Sequence, residues 1–370
     1  MSIALKKAAK ISGISGYNFG DYLLSECITY ILNKQGIYHT NYNLYPIKNI
    51  VIDNRVGAKS YLKNYLGKIK WLIYLILIFR TLKNYRYYKK ISENHSEIFY
   101  GGGNLISNDD GSNYLFICFL IAILSPTKKL NLSFVGVGPF SFLYKMQLKY
   151  IQNKCNKIIV RDTYSKSFFS NKNVQVLPDP ALITSKIFPI SKTVNKDKLL
   201  INLMDYSKFN NCFVSEISIN LIVKNINTIA KYFSLEPIFV VTSIADINFT
   251  REVFNLYNVT FLNEKSFYVE LTNTAQLPNL FSQIVFSVVN RMHCGIISMS
   301  YDIPTVMFPW QKKITGLLQN IYLNDANKYS YKDINLSSNE IIQIIKNFDY
   351  KNFKEKITSI KTEILNTSLK

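Results

Sequence analysis

Short apolar, β-branched runs alternate with stretches of helical period along most of the chain. Residues 8–14 predict a first strand, after which Leu23, Leu24, Cys27, Ile28, Ile31 and Leu32 recur at helical spacing until Gly36. Residues 37–58 read as a strand and a loose connection. Further strands are expected at 98–100, 130–135, 157–160 and 174–177, with an apolar helix over 114–124. In the second half, strands at 199–203, 237–242, 259–262, 284–289 and 304–308 alternate with helices at 214–233, up to 257, and at 277–283. Such alternation implies parallel strands joined by crossover helices. Ser337-Ser338-Asn339-Glu340 has the form of a capping box before a final helical region. A Lys-, Ser- and Thr-rich stretch with Pro189, residues 186–198, is the expected linker. The expected division is an N-terminal domain 1–188, a C-terminal domain 189–335 and a helical region 336–370 that packs back on the first domain.

The ends of these strands carry the chemistry. They read Gly101-Gly102-Gly103-Asn104, Gly136-Val137-Gly138-Pro139, Arg161-Asp162 and Pro178-Asp179-Pro180-Ala181. The second lacks the third glycine of a dinucleotide loop. The run 284–289 hands over through Asn290-Arg291-Met292-His293 to a helix of small and apolar residues. Ligands of open α/β sheets bind at the carboxyl ends of the strands. Arg291 can fork onto a carboxylate or phosphate, and His293 can carry a proton, so this stretch is the expected reaction centre. The plain alternatives are a helix-terminus ion pair for Arg291 and a satisfied core histidine for His293. Asp21, at the start of the first helix, is either a cap or a carboxylate base.

Composition narrows the classes. The chain has 370 residues, which suits two domains, and its hydrophobic content of 48% is that of a globular protein. Lys+Arg 44 against Asp+Glu 24 gives a formal charge of +20, which favours an anionic partner. No zinc-finger, helix-turn-helix or RNA-binding signature accompanies the charge, so nucleic acid is not expected. The five cysteines are scattered with no CxxC pair; Cys27, Cys118 and Cys294 are expected as small buried hydrophobes in a reducing compartment. No His/Cys/Asp cluster has metal spacing, and no metal is expected. No signal peptide or membrane span is read, so a cytoplasmic location is expected.

Residues 59–90 stand apart. They hold nine Lys or Arg and no Asp or Glu, around the apolar run 71–79, with Tyr and Trp interleaved. Segments of this composition rest at anionic membrane interfaces, and a helix of the first domain with solvated basic ends is the alternative.

Read together, Asn18-Phe19-Gly20-Asp21, the loops at 101–104, 136–139, 161–162, 178–181 and 291–293, and the stretch from Gly295 to Pro304 followed by Lys312 form an ordered set. That set resembles the polysaccharide pyruvyl transferase family over nearly the whole chain. The resemblance implies an α/β fold of two Rossmann-like domains facing across a cleft, similar to GT-B glycosyltransferases. It implies transfer of the pyruvyl group of phosphoenolpyruvate onto sugar hydroxyls of a surface polysaccharide or its lipid-linked precursor, giving a ketal. It implies functional roles for Arg161, Arg291 and His293, with Arg161 and Arg291 holding the donor's anionic groups across the cleft. Asn18, Asp21, Gly102, Gly103, Asn104, Gly138, Asp179 and Lys312 are the expected substrate-binding residues, although Pro309-Trp310-Gln311 alters the family pattern before the lysine. No cofactor is expected beyond phosphoenolpyruvate as co-substrate. A GT-B glycosyltransferase using a nucleotide sugar and an inactive scaffold in glycan assembly are the competing readings.

Overall fold

A computed structural model describes residues 7–13, 18–46, 75, 78–79, 81–106, 114–138, 142–170, 173–191, 194–206, 217–310, 312–322 and 329–369. The chain forms two compact units, each built on a parallel sheet. The first comprises Met1–Ile14, Ile28–Leu177 and Ser368–Lys370; the second comprises Ser15–Cys27 and Pro178–Thr367.

In the first unit the strands are β1 (Ala8–Ser12), β2 (His39–Asn43), β3 (Ile98–Ile106), β4 (Leu130–Val137), β5 (Cys155–Val160) and β6 (Val174–Val176). Their order is β2-β1-β3-β4-β5-β6, and every pairing is parallel. Helix α1 (Phe19–Lys34) starts in the second unit and passes into the first. Its predicted apolar positions Leu23, Leu24, Cys27, Ile28, Ile31 and Leu32 are all buried. Helices α2 (Tyr85–Asn94), α3 (Tyr114–Leu124), α4 (Phe142–Lys154) and the short α5 (Thr163–Lys166) follow. Central strands covered on both faces should be apolar throughout, and Ile98, Phe99 and Tyr100 are all fully buried.

In the second unit come α6 (Thr184–Ile187), β7 (Lys198–Asn202), α7 (Ile219–Phe233), β8 (Glu236–Val241), α8 (Ile247–Thr260), β9 (Phe267–Glu270), α9 (Gln276–Phe281), β10 (Ile284–Val289) and α10 (Met292–Ser300). After them lie β11 (Thr305–Met307), α11 (Lys312–Tyr322), α12 (Ser338–Lys346) and α13 (Tyr350–Asn366). The sheet order is β11-β10-β7-β8-β9. Counted within the unit this is the 3-2-1-4-5 order of a Rossmann fold, which reverses between β7 and β10. Each unit is Rossmann-like, and the α/β class agrees with the sequence.

Several local expectations change. The apolar run at 259–262 is not a strand: α8 continues to Thr260, while Val259 and Leu262 are exposed at 71% and 83%. The strand is instead β9, whose Phe-Tyr-Val pairs with β8. The glycines 101–103 lie within β3 and not in a loop after it, and the β3–β4 register shifts past Gly103. Ser337 makes no side-chain capping bond; Glu340 accepts from the Lys332 amide at 3.2 Å instead, so the capping box does not close. The units change over after Leu177 and not at 188/189. The reason is packing: Ala181, Leu182 and Ile183 are fully buried, the 180–183 turn lies against α10 and α13, and the Tyr301 hydroxyl donates to the Phe188 carbonyl at 2.6 Å. Helix α13 belongs to the second unit, and only Ser368–Lys370 belong to the first. Most of 59–90, including Lys68, Lys70 and Arg80, lies outside the described residues. No described helix is long and apolar enough to cross a membrane.

Candidate functional site

The site in the second unit forms where its sheet reverses order. β10 ends at Val289, and Arg291 is the extended residue that opens α10. The Asn202 side chain, at the end of β7, accepts from the Arg291 amide at 2.9 Å and donates to the Val240 carbonyl at 2.8 Å. The guanidinium turns toward the turn after β8. There Nε donates to Asp246 Oδ2 at 2.7 Å and Nη2 donates to Oδ1 at 2.8 Å. Asp246 is fully buried, whereas the Arg291 side chain is 20% exposed. Breaking a buried pair by removing one partner costs about 3–5 kcal/mol, so this fork fixes the loop as well as the charge. Asn290, just before it, is held by the Trp310 indole, which donates to its carbonyl at 3.0 Å, and by the Tyr331 hydroxyl on its side chain.

His293 is the second residue of α10, in its first turn. Its Nε2 lies 3.9 Å from Asp179 Oδ2, and the other oxygen of that buried carboxylate accepts from the Ala181 amide at 3.0 Å. Against the other side of the ring lies the first turn of α1. A Cβ on Gly20 would come within 2.1 Å of His293 Nδ1, so only glycine lets helix and imidazole approach this closely. That helix end is itself anchored. The Phe19 amide donates to the Thr242 carbonyl at 3.0 Å, and Asn18 bridges Ser243. Asn18 Oδ1 caps the helix by accepting from the Gly20 amide at 3.0 Å, so the cap is Asn18 and not Asp21, which sits half-buried in the first turn.

The first unit builds a different edge. Arg161 and Asp162 follow β5; both are buried, with Nε 3.8 Å from Asp162 Oδ2. Asp162 Oδ1 caps α5 at the Ser165 amide, and Ser165 Oγ accepts from the Val137 amide at 2.9 Å. The Arg161 guanidinium lies over Gly136, where a Cβ would sit 2.7 Å from Nη2. Gly102, Gly103 and Gly138 all have positive φ, the first two within β3 and the third just past β4. The Asn104 and Lys312 side chains lie outside the described residues, although Asn104 is in β3 and Lys312 opens α11.

The structure thus gathers Arg291, His293, Asp179 and Asn18, with Asp21, in one unit, and Arg161 with Gly102, Gly103 and Gly138 at one sheet edge of the other. Sequence reasoning missed Asp246 and Asn202, and it read Gly20 only as part of the 18–21 motif and not as the residue that admits His293. Asp246 had a usable signal: it follows the strand run 237–242 by a few residues, as Asp179 follows 174–177.

A family model for polysaccharide pyruvyl transferases matches residues 18–312. The chain belongs to this family. The matched span runs from the cap of α1 to the first residue of α11, so it contains the whole Arg291–His293 arrangement and the Arg161 edge. No curated protein sequence matches this pyruvyl transferase family member. Among solved structures it is similar to MnaA of S. aureus in complex with UDP, with a TM-score of 0.57, 10% identity and coverage of 98% of this chain and 95% of that one. A putative UDP-N-acetylglucosamine 2-epimerase from Listeria monocytogenes aligns with a TM-score of 0.58 and 8% identity over 98% and 94% of the two chains. The Anabaena protein Alr3699/HepE in complex with UDP and glucose aligns at 0.50 and 12% identity, over 97% and 98%. At these identities the likeness is one of fold, and the fold is GT-B-like.

Proposed function

We propose that the chain transfers the pyruvyl group of phosphoenolpyruvate onto two hydroxyls of a sugar in a surface polysaccharide or its lipid-linked precursor, releasing phosphate and leaving a ketal. The observation that carries this reading is His293 set beside the buried Asp179 carboxylate, two residues after an arginine held at the reversal of the sheet order. The reaction asks for that combination. A sugar hydroxyl adds to C2 of the enol while a proton is delivered to C3; the second hydroxyl then displaces phosphate from C2. His293 is the proton carrier, and Asp179 is the charge partner of the ring when it holds two protons. The donor's carboxylate and phosphate need fixed cations; Arg291 supplies one beside His293, and the family resemblance gives Arg161 a functional role as well. Asn18, Asp21, Gly102, Gly103, Asn104, Gly138 and Lys312 complete the substrate contacts, and no cofactor is invoked.

The test is incubation of purified protein with pyruvyl-labelled phosphoenolpyruvate and a panel of lipid-linked sugars. Label should enter the sugar with release of one equivalent of phosphate, and the donor should raise the melting temperature by mass action. Turnover or stabilisation by nucleotide sugars alone would replace this reading with a glycosyltransferase. A lipid-linked acceptor also gives a purpose to a cytoplasmic enzyme resting on the membrane through the basic segment 59–90. Flotation with anionic liposomes should fall when Lys68, Lys70, Arg80 and Lys83 are changed to Gln.

A further inference from the structure

We propose that Asp246 is the positioning residue of an anion site at the carboxyl edge of the second sheet, setting the angle at which Arg291 meets its ligand. This inference rests on the transferase reading only in naming phosphoenolpyruvate as the anion. Arginine has five N–H donors in a rigid planar fork. Asp246 takes the edge formed by Nε and Nη2, with bonds of 2.7 and 2.8 Å. Because the group is planar and stiff, holding that edge fixes the direction of the remaining donors.

The clasp is itself held. Asp246 is fully buried in the 244–246 turn, and its Oδ1 also accepts from the Asp205 amide, after β7, at 3.2 Å. The Arg291 backbone is pinned separately by Asn202. Side chains from the end of β7 and from the turn after β8 therefore fix both the amide and the guanidinium of Arg291, two residues past β10.

Two features separate this arrangement from an ordinary packing ion pair. The carboxylate is sealed while the Arg291 side chain stays 20% exposed, so one end of the pair reaches outward. And lysine is the ordinary cation of this chain, because only six of its 44 Lys and Arg residues are arginine. An ammonium would satisfy a buried carboxylate as a point charge but could not transmit an orientation. Asp246 also neutralises Arg291, so what the pair offers an anion is direction and not added charge. A site built on charge alone would bind anions more tightly once that carboxylate were neutralised; a site built on direction would bind them more weakly.

The experiment exploits that opposition, with inorganic phosphate and phosphoenolpyruvate as probes. In protein labelled with 15N-arginine only six Nε–H resonances arise, and Arg291→Lys identifies the one from Arg291. In the parent this resonance should resist solvent exchange and shift on adding phosphate. In Asp246→Asn it should exchange as an exposed arginine does, and phosphate should bind about tenfold more weakly. With phosphoenolpyruvate the loss should appear mainly in KM, with kcat less affected, as expected when binding is lost equally from ground and transition states. In an Arg291→Lys background Asp246→Asn should add little, because the two act as a unit. Asp246→Glu keeps the charge but displaces the carboxylate, and it should weaken phosphate binding too; it decides the matter if the Asn variant does not fold. Parent-like or tighter phosphate binding in a folded Asp246 variant, or no phosphate response of Arg291 in the parent, would overturn the proposal. Failure of the parent to consume phosphoenolpyruvate would sink the transferase reading and leave the phosphate titration to judge Asp246.

Discussion

The two sheets solve the same problem at their carboxyl edges in different ways. Each places an arginine within two residues of a strand's end and gives it an aspartate. In the first unit the aspartate is the next residue, Asp162, and the pair reaches only 3.8 Å, because its other oxygen is committed to capping α5. In the second unit the aspartate comes from another strand end, 45 residues earlier, and closes a two-bond fork. Arg161 is sealed over Gly136, whereas Arg291 keeps a fifth of its side chain exposed. Here the sequence-adjacent partner meets its arginine at longer range, whereas the partner from the turn after β8, two strands away in the sheet, holds its arginine in a two-bond fork.

That contrast can be broken or sharpened by substitution. The largest effect should come from His293→Ala, which removes the proposed proton carrier and should lower turnover by roughly 10² to 10⁴. Near-normal rates in that variant would move the chemistry out of the second edge. Gly20→Ala should approach the same loss, about 10²-fold, without touching a reacting group, because the added methyl occupies the space of the imidazole. Its melting temperature should fall as well, since overpacking costs about 1–3 kcal/mol and the preference of a helix for alanine over glycine, about 1 kcal/mol, offsets only part of it. A Gly20→Ala enzyme of parental activity would show that His293 need not stay where it is.

Arg291→Lys keeps the charge and loses the fork, and it should lower kcat/KM by roughly 10- to 100-fold. If Arg161→Lys proved equally damaging, aim would matter at both edges and the contrast would narrow. Gly136→Ala pushes on the Arg161 guanidinium and should cost about 1–3 kcal/mol of stability, read as a lower melting temperature, with a smaller loss of activity than Gly20→Ala. The smallest effect is expected at Cys294, next to His293. Burial holds its thiol well above the ordinary range, as it does for Cys118, so iodoacetamide at pH 7–8 should leave both unlabelled in the folded protein. Fast labelling of Cys294 would reveal that the start of α10 opens.

Much of the candidate site is legible in the sequence. Polar residues at strand ends are conspicuous against apolar runs, which is why Arg161, Asp179, Arg291 and His293 stand out. Elements are misread where apolar residues are exposed, as at Val259 and Leu262, since periodicity assumes that apolar means inward. The capping box fails for a related reason: Glu340 finds a backbone amide at Lys332, a partner that no local pattern contains.

The sequence alone determined what depends on neighbours along the chain. That includes the alternation that makes both sheets parallel, the helical face of α1 from Leu23 to Leu32, and the residues that lie at strand ends. Tertiary structure decided which of those ends meet. Asp246 reaches Arg291 because the order β10-β7-β8 brings three ends together at the point where the sheet reverses. Gly20 matters only because α1 docks on Thr242 and presses its first turn against His293. Side-chain period fixes the face a residue occupies, but strand order is set by crossover packing over the whole unit, and with it the partner each charge finds.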